Sequence, residues 1–368
     1  MKRSGVAAFT LGALGAVTLG TACAEPSVTL FGTVDVALRS IHYSDYGTAN
    51  SVGTFGNAPS HFGLRGEEDL GGGLKAIFWL EAAFTPDNGN SATQAFGMPL
   101  FNRSSWVGLR GNFGELHVGR DWSPTYVNTY MYDPSYNLGV TNNAHLSNML
   151  NQGIVSNYYW NANAVGYTLP ANLGGFYGSV QASTGEGGKG CNGNVACGTT
   201  IGGYRGGRFG YAAGAFDISA AVGRTDITAT TRASVASGDW TQANIGASYN
   251  FGAAKLLLWY NHEEFVNWKE KRAAASVVVP VGDDYMFFTY SSSTTDNAAK
   301  TAGAFGGKTF GASYVHTLSK RTALYASAAY LSNKGRGTLN VEDVGSYSGN
   351  TQPGGKSTGV ELGMRHSF

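Results

Sequence analysis

The chain is poor in charge, in proline and in cysteine, and each shortage excludes something. Charged residues make up 13% of the 368, against about 25% in an ordinary soluble domain. The 25 basic residues less Lys2 and Arg3 of the leader leave 23 against 24 acidic ones, a formal charge of −1, which gives nucleic acid no electrostatic foothold. Beyond the leader no stretch supplies the roughly 18 to 20 continuous apolar residues of a spanning helix, so a helical membrane protein is excluded. The nine prolines gather into no linker. One closed architecture is therefore expected for about 340 residues, beyond the size at which a single soluble core stays efficient.

Of three cysteines, Cys23 falls in the leader. Residues 1–24 carry a charged start, an Ala/Gly/Leu/Val run and Ala22-Cys23-Ala24 as an A-x-A cleavage site, so the mature chain is expected to span 25–368. A lipoprotein reading of Cys23 is weaker, because Gly20 stands where a bulky aliphatic residue belongs. Cys191 and Cys197 lie in a Gly/Asn/Thr-rich stretch, where an exported protein is expected to pair them as a disulfide. Zinc would need two further ligands nearby. No metal or cofactor is expected.

What the chain has instead is glycine, 54 residues of it. That many glycines weaken long helices and suit short strands joined by tight turns. A period of two runs from end to end. In SVTLFGTVDVALRS, Val28, Leu30, Val34, Val36 and Leu38 share one face, and Thr29, Thr33, Asp35 and Arg39 the other. Leu74, Phe78, Leu80 and Phe84 likewise oppose Lys75 and Glu81. Leu324, Ala326, Ala328 and Tyr330 share a face, as do Val360, Leu362, Met364 and the terminal Phe368. One side meets oil and the other water.

Two kinds of connection alternate along the chain. Short links fall at 69–73, 111–114, 171–175, 251–253 and 319–322. Long polar ones fall at about 41–58, 86–101, 121–153, 184–202, 226–239, 266–272, 292–305 and 333–356. Short turns at one rim and long loops at the other are the asymmetry of an outer-membrane barrel with strands of roughly ten residues. The pattern predicts an all-β, transmembrane antiparallel β-barrel of sixteen strands, with short periplasmic turns and long extracellular loops. The count requires a hairpin around Pro280–Asp284; without it there are fourteen. Tyr158, Tyr159, Trp160, Trp259, Tyr260 and Phe368 are candidates for the interfacial aromatic girdles.

Five segments together resemble the general porins of Gram-negative bacteria, in particular the trimeric sixteen-stranded betaproteobacterial type. They are SVTLFGTVDVAL at 27–38, FGLRGEEDLGGGLKAIFWLE at 62–81, SSWVGLRGNFGELHVGRDWSP at 104–124, ASYVHTLSKRTALYASAAY at 312–330 and the terminal GMRHSF. The resemblance implies a homotrimer of water-filled pores in outer-membrane lipid, passing ions and small hydrophilic solutes. It also implies a third long loop folded into each pore, and a terminal Phe368 read by the barrel-assembly machinery. That loop is the 121–153 segment, expected to be functional at its length without regular structure, with Asp121 and Asp133 supplying negative charge. Arg103 aligns with a wall arginine of the family. Arg39, Lys75 and Arg120 are further pore-lining candidates. In place of two more family arginines stand His61 and Ile154. A weaker anion preference is therefore expected, changing below about pH 6.5 as His61 gains charge.

Catalysis is not expected. Seven scattered histidines come with no G-x-S-x-G elbow and no H-E-x-x-H helix. The densest acid/base group, His262 with Glu263 and Glu264, belongs at a solvated strand end. A substrate-specific channel is the nearer competitor. It would line its wet face with aromatics; Phe31 and Tyr126 could begin such a line, but the sequence shows no run that continues it.

Overall fold

The computed structural model describes residues 27–91, 100–151, 158–185, 200–228, 238–341 and 351–368. The leader, Ile154, Cys191 and Cys197 lie outside the described residues.

Eighteen strands are described: β1 (Ser27–Tyr43), β2 (Gly47–Gly53), β3 (His61–Gly71), β4 (Leu74–Thr85), β5 (Asn90–Ser91), β6 (Ser104–Gly111), β7 (Gly114–Trp122), β8 (Trp160–Thr168), β9 (Phe176–Ser183), β10 (Thr200–Ala213), β11 (Phe216–Thr228), β12 (Gly238–Asn250), β13 (Lys255–Phe265), β14 (Trp268–Val281), β15 (Asp284–Thr295), β16 (Gly307–Thr317), β17 (Thr322–Asn333) and β18 (Lys356–Ser367). All pair antiparallel. Setting aside β2 and the two-residue β5, the other sixteen follow one another around a cylinder that closes where β1 pairs with β18. Closure leaves no long wall edge unpaired, as a structure spanning lipid requires.

Residue distribution is inverted relative to a soluble protein. Leu38, Val107 and Leu362 are 67%, 62% and 63% exposed, while Arg39 and Glu361 beside them are 6% and 1%. The outward apolar positions touch no second apolar layer, so lipid is their solvent. Inward positions carry hydroxyls, amides and ions.

The short turns fall as expected. At β3–β4 the backbone takes positive φ at Gly71, Gly72 and Gly73, and the Gly71 amide donates to Asp69 Oδ1 at 2.8 Å; only glycine enters that region without cost. The β14–β15 hairpin turns at Gly282–Asp283, which secures sixteen strands.

Two expected loops are largely strand. In the 41–58 segment, β1 runs to Tyr43 and β2 folds back on its upper half, Tyr43 opposite Gly47 and Ala37 opposite Gly53. β3 takes over below, Thr33 opposite His61. β2 and β3 are thus one wall strand interrupted by residues 54–60, which bulge inward. Asp35 holds the bulge, accepting the amides of Gly56, Asn57 and Ala58 at 2.9, 3.2 and 3.1 Å and the Tyr325 hydroxyl at 2.8 Å. In the 266–272 segment, Phe265 pairs with Trp268 and only Val266–Asn267 turn, with Val266 at φ 56°. Polar side chains stand on both faces of these segments, Thr48 and Asn50 against Ser51, and Lys269 and Lys271 against Glu270 and Arg272. Alternation fades there although the ladder continues.

Candidate functional site in the lumen

The long link after β7 folds inside the barrel. It is not irregular: it contains α1 (Pro124–Met131), a 3-10 turn (Asn143–Leu146) and α2 (Asn148–Asn151). Ser123 caps α1, accepting the Tyr126 amide, and Pro124 occupies the first turn, where no amide is needed. The loop is fastened to the inner wall by polar contacts. Asn128 Nδ2 donates to Asn244 Oδ1 at 2.6 Å, Tyr132 Oη to Asp217 Oδ1 at 2.5 Å, and the Asn148 amide and side chain to Glu270 at 3.1 and 2.9 Å. Gly246 lies beneath the Tyr132 ring, where a Cβ would stand 1.9 Å from Cδ2. Farther along, Val140 and Leu146 pack with Ile41, Tyr43 and Leu331. The loop therefore follows the wall from β10 round to β18 and β1, and the open lumen faces the other side.

Charges on the lumen wall come in close pairs. Arg39 Nε donates to Glu361 Oε1 at 2.5 Å, and its Nη2 to the Thr54 carbonyl at 3.2 Å. Arg103 is ion-paired with Glu81, its guanidinium 4.8 Å from the Trp122 ring centre. Arg272 is paired with Glu263 and donates to the Tyr158 hydroxyl at 3.0 Å. His61 lies beside the Arg103 pair, Nδ1 2.7 Å from the Pro59 carbonyl and Nε2 3.9 Å from Glu81 Oε1. Arg120 donates to the Asn102 carbonyl at 2.6 Å. Asp121 accepts from Ser104 at 3.1 Å with His117 Nε2 3.2 Å away; it belongs to β7, not to the loop. Lys75 sits apart from this group, at the short-turn rim, in a chain with Glu67, Arg110 and Glu115.

Asp133 is 2% exposed and spends its carboxylate inside the loop, accepting the Ser135 amide and hydroxyl at 2.9 and 2.7 Å and the Asn143 amide at 3.2 Å. Burial raises its pKa. His145, likewise enclosed, is pushed down to about 3 by burial, with the Arg39 charge acting in the same direction. Among the described residues of the loop, Met131, Tyr136 and Asn151 are exposed, with Tyr130 half-buried and its ring 4.9 Å from that of Tyr136. The exposed loop side chains are thus aromatic, thioether and amide, and the two acids expected to charge the loop lie elsewhere.

This wall and inward loop match known proteins along the whole chain. The model of the Gram-negative porin family matches residues 8–336. The chain belongs to that family. Outer membrane porin protein 32 of Delftia acidovorans is 35% identical over 379 aligned positions covering all of both chains, and an outer membrane porin protein of Bordetella pertussis is 28% identical over 95% of this chain and 96% of its own. Among solved structures, the anion-selective porin from Comamonas acidovorans superposes with a TM-score of 0.81 at 34% identity, over 94% of this chain and all of that one. The protein is an outer-membrane channel and not an enzyme. The porin's densest acid/base group is in fact divided by the strand's alternation. His262 and Glu264 pair at 2.8 Å on the outer face, and Glu263 points inward to Arg272.

Glu361, a residue of the porin's lumen, was not singled out from sequence. Glu361 is the one acid in the apolar-alternating terminal strand, and the parity that turns Val360 and Leu362 outward turns it inward. Glu81 and Glu263 follow from the same rule. The terminal Phe368 completes the seam: its amide donates to the Gly32 carbonyl at 3.0 Å, the Gly32 amide donates back at 3.2 Å, and its ring covers Gly32.

Proposed function

We propose that the porin is a general diffusion channel, passing ions and small hydrophilic solutes passively with weak charge selectivity. The observation that carries this is the pairing of Arg39, Arg103 and Arg272 with Glu361, Glu81 and Glu263. A paired wall has a short-range transverse field and little net charge, so it orients polar solutes without strongly favouring either sign. The residual preference is for anions. Asp35, Asp133 and Glu270 are buried and held by hydrogen bonds, whereas the inward Arg65 and Arg365 have no ion-pair partner among the described residues. The anion-selective relative is a precedent for that sign. His61 adds positive charge to this wall only when protonated.

Liposome swelling with uncharged solutes of graded size, together with reversal potentials in a salt gradient, tests the reading. Smooth dependence on size and a small anion-favouring potential are expected. Steep discrimination among sugars of equal size would replace it with a substrate-specific channel.

The same proposal includes removal of residues 1–24 on export, a homotrimer in outer-membrane lipid, recognition of Phe368 by the barrel-assembly machinery, and a Cys191–Cys197 disulfide. Closures in steps of one third of the bilayer conductance, and a mature chain starting at Glu25, are the expected observations.

A further inference from the structure

The wall the loop leaves open carries a chain of rings. On the lumen side of β1, β4, β6 and β7, the Phe31 and Trp79 ring centres lie 4.8 Å apart, Trp79 and Trp106 stack at 6.4 Å with planes 16° apart, and Trp106 and His117 lie 5.0 Å apart. Register builds the chain: Trp79 is opposite Trp106, and Phe31 and His117 are opposite the glycines Gly63 and Gly108. Those glycines let the rings lie over the wall. A Cβ on Gly63 would stand 2.5 Å from Phe31 Cζ, and one on Gly166, opposite His117 on the β8 side, 2.3 Å from His117 Nε2. The half-buried Phe31, Trp79 and Trp106 rings thereby form one apolar stripe along the pore wall.

Arg65, on β3 between them, is exposed. Its guanidinium carbon is 5.4 Å from the Phe31 ring centre and 5.5 Å from that of Trp79. Nearby cations are matched: Lys75 and Arg110 by Glu67 and Glu115, Arg103 by Glu81. Among the described residues Arg65 has no carboxylate and no hydrogen-bond partner. A guanidinium within cation–π range of two rings and without a hydrogen-bond partner among the described residues keeps its N–H groups for a planar anion. The acceptors a sugar would use on this wall are already taken, Glu81 by Arg103 and by Trp79 Nε1 at 2.9 Å, Glu115 by Arg110 at 2.7 Å.

We propose that this wall is a subsite for small aromatic carboxylates, the carboxylate on the Arg65 N–H groups and the ring against the Phe31–Trp79–Trp106 stripe. It rests on the channel reading and deepens it. Such solutes are concentrated at the wall of a pore that otherwise sorts only weakly.

The test is block of ion current through the porin in planar bilayers by benzoate, cyclohexanecarboxylate, acetate and glucose, each normalised to the open current of the variant used. Benzoate is expected to block at about tenfold lower concentration than acetate or cyclohexanecarboxylate. Arg65→Gln and Trp79→Leu should abolish that difference, and Trp79→Phe should keep most of it. Saturation transfer from the detergent-solubilised porin to the benzoate ring protons gives a second readout that needs no current. Equal block by acetate and benzoate, survival of the benzoate effect in Arg65→Gln, or preferential block by glucose would each overturn the subsite. A porin that conducts but ignores benzoate sinks only the subsite; one that never conducts sinks the channel reading beneath it.

Discussion

Arg39 and Glu361 face each other directly across the seam where the barrel closes, 322 positions apart in sequence and 2.5 Å apart in space. Both are almost fully buried. Removing one partner of such a pair strands the other charge, at a cost of about 3 to 5 kcal/mol. Glu361→Gln should therefore lower the temperature at which the folded barrel converts to the unfolded band on gels, and Arg39→Met with Glu361→Leu together should recover part of the loss. Full stability of the single variant would show that the seam does not depend on the pair.

Arg103 and Glu81 should offset each other's effect on selectivity. A single unbalanced charge about 8 Å from a passing ion is worth about 2 kcal/mol at an effective dielectric near 20, less after screening. Glu81→Gln is expected to raise the anion-to-cation permeability ratio severalfold, Arg103→Gln to lower it, and the double variant to return near the parent. Reversal potentials in a salt gradient measure all three.

His145 makes docking of the inward loop acid-sensitive. Its folded pKa is depressed to about 3 from 6.5, so below pH 6.5 the unfolded or undocked chain binds the proton that the docked loop refuses. Docking free energy is then lost as pH falls from about 6.5 towards about 3, at up to about 1.4 kcal/mol per unit. The raised Asp133 opposes this, since protonation relieves its burial as pH falls. Proteolysis of the 121–153 segment at about pH 4 against about pH 7 should increase in the parent and less so in His145→Leu. An identical rise in both would clear His145.

Asp35 clamps the bulge that interrupts the second wall strand. Charge-assisted hydrogen bonds are worth about 1.5 to 3 kcal/mol each, and Asp35 makes four. Asp35→Ala should destabilise the barrel by at least one such bond and expose residues 54–60 to protease, whereas Asp35→Asn, which keeps one acceptor, should be milder. Unchanged cleavage would mean that the Thr54 and Ser60 hydroxyls suffice.

The sequence disclosed what depends on a single strand. Parity alone put Arg39 on the wet side and Leu38 on the oily side, and Pro280–Asp284 marked the hairpin that brought the count to sixteen. Contacts that depend on how separate strands are aligned stayed hidden. Phe31, Trp79, Trp106 and His117 are far apart in sequence and become neighbours only through register, so no run of aromatics could reveal them. Asp133 shows a different limit. Loop composition says that a carboxylate is present, but whether it faces the pore or its own backbone is decided by folding.

The seam also has a consequence for how the protein is made. The upper edge of the first strand, Thr33–Tyr43, bonds to the last, Ser357–Ser367. From the start of synthesis until the final residues emerge, that edge has no mate. The cylinder cannot be built piecemeal as the polypeptide appears, and the unfinished chain needs shelter from stray strands until its two ends meet.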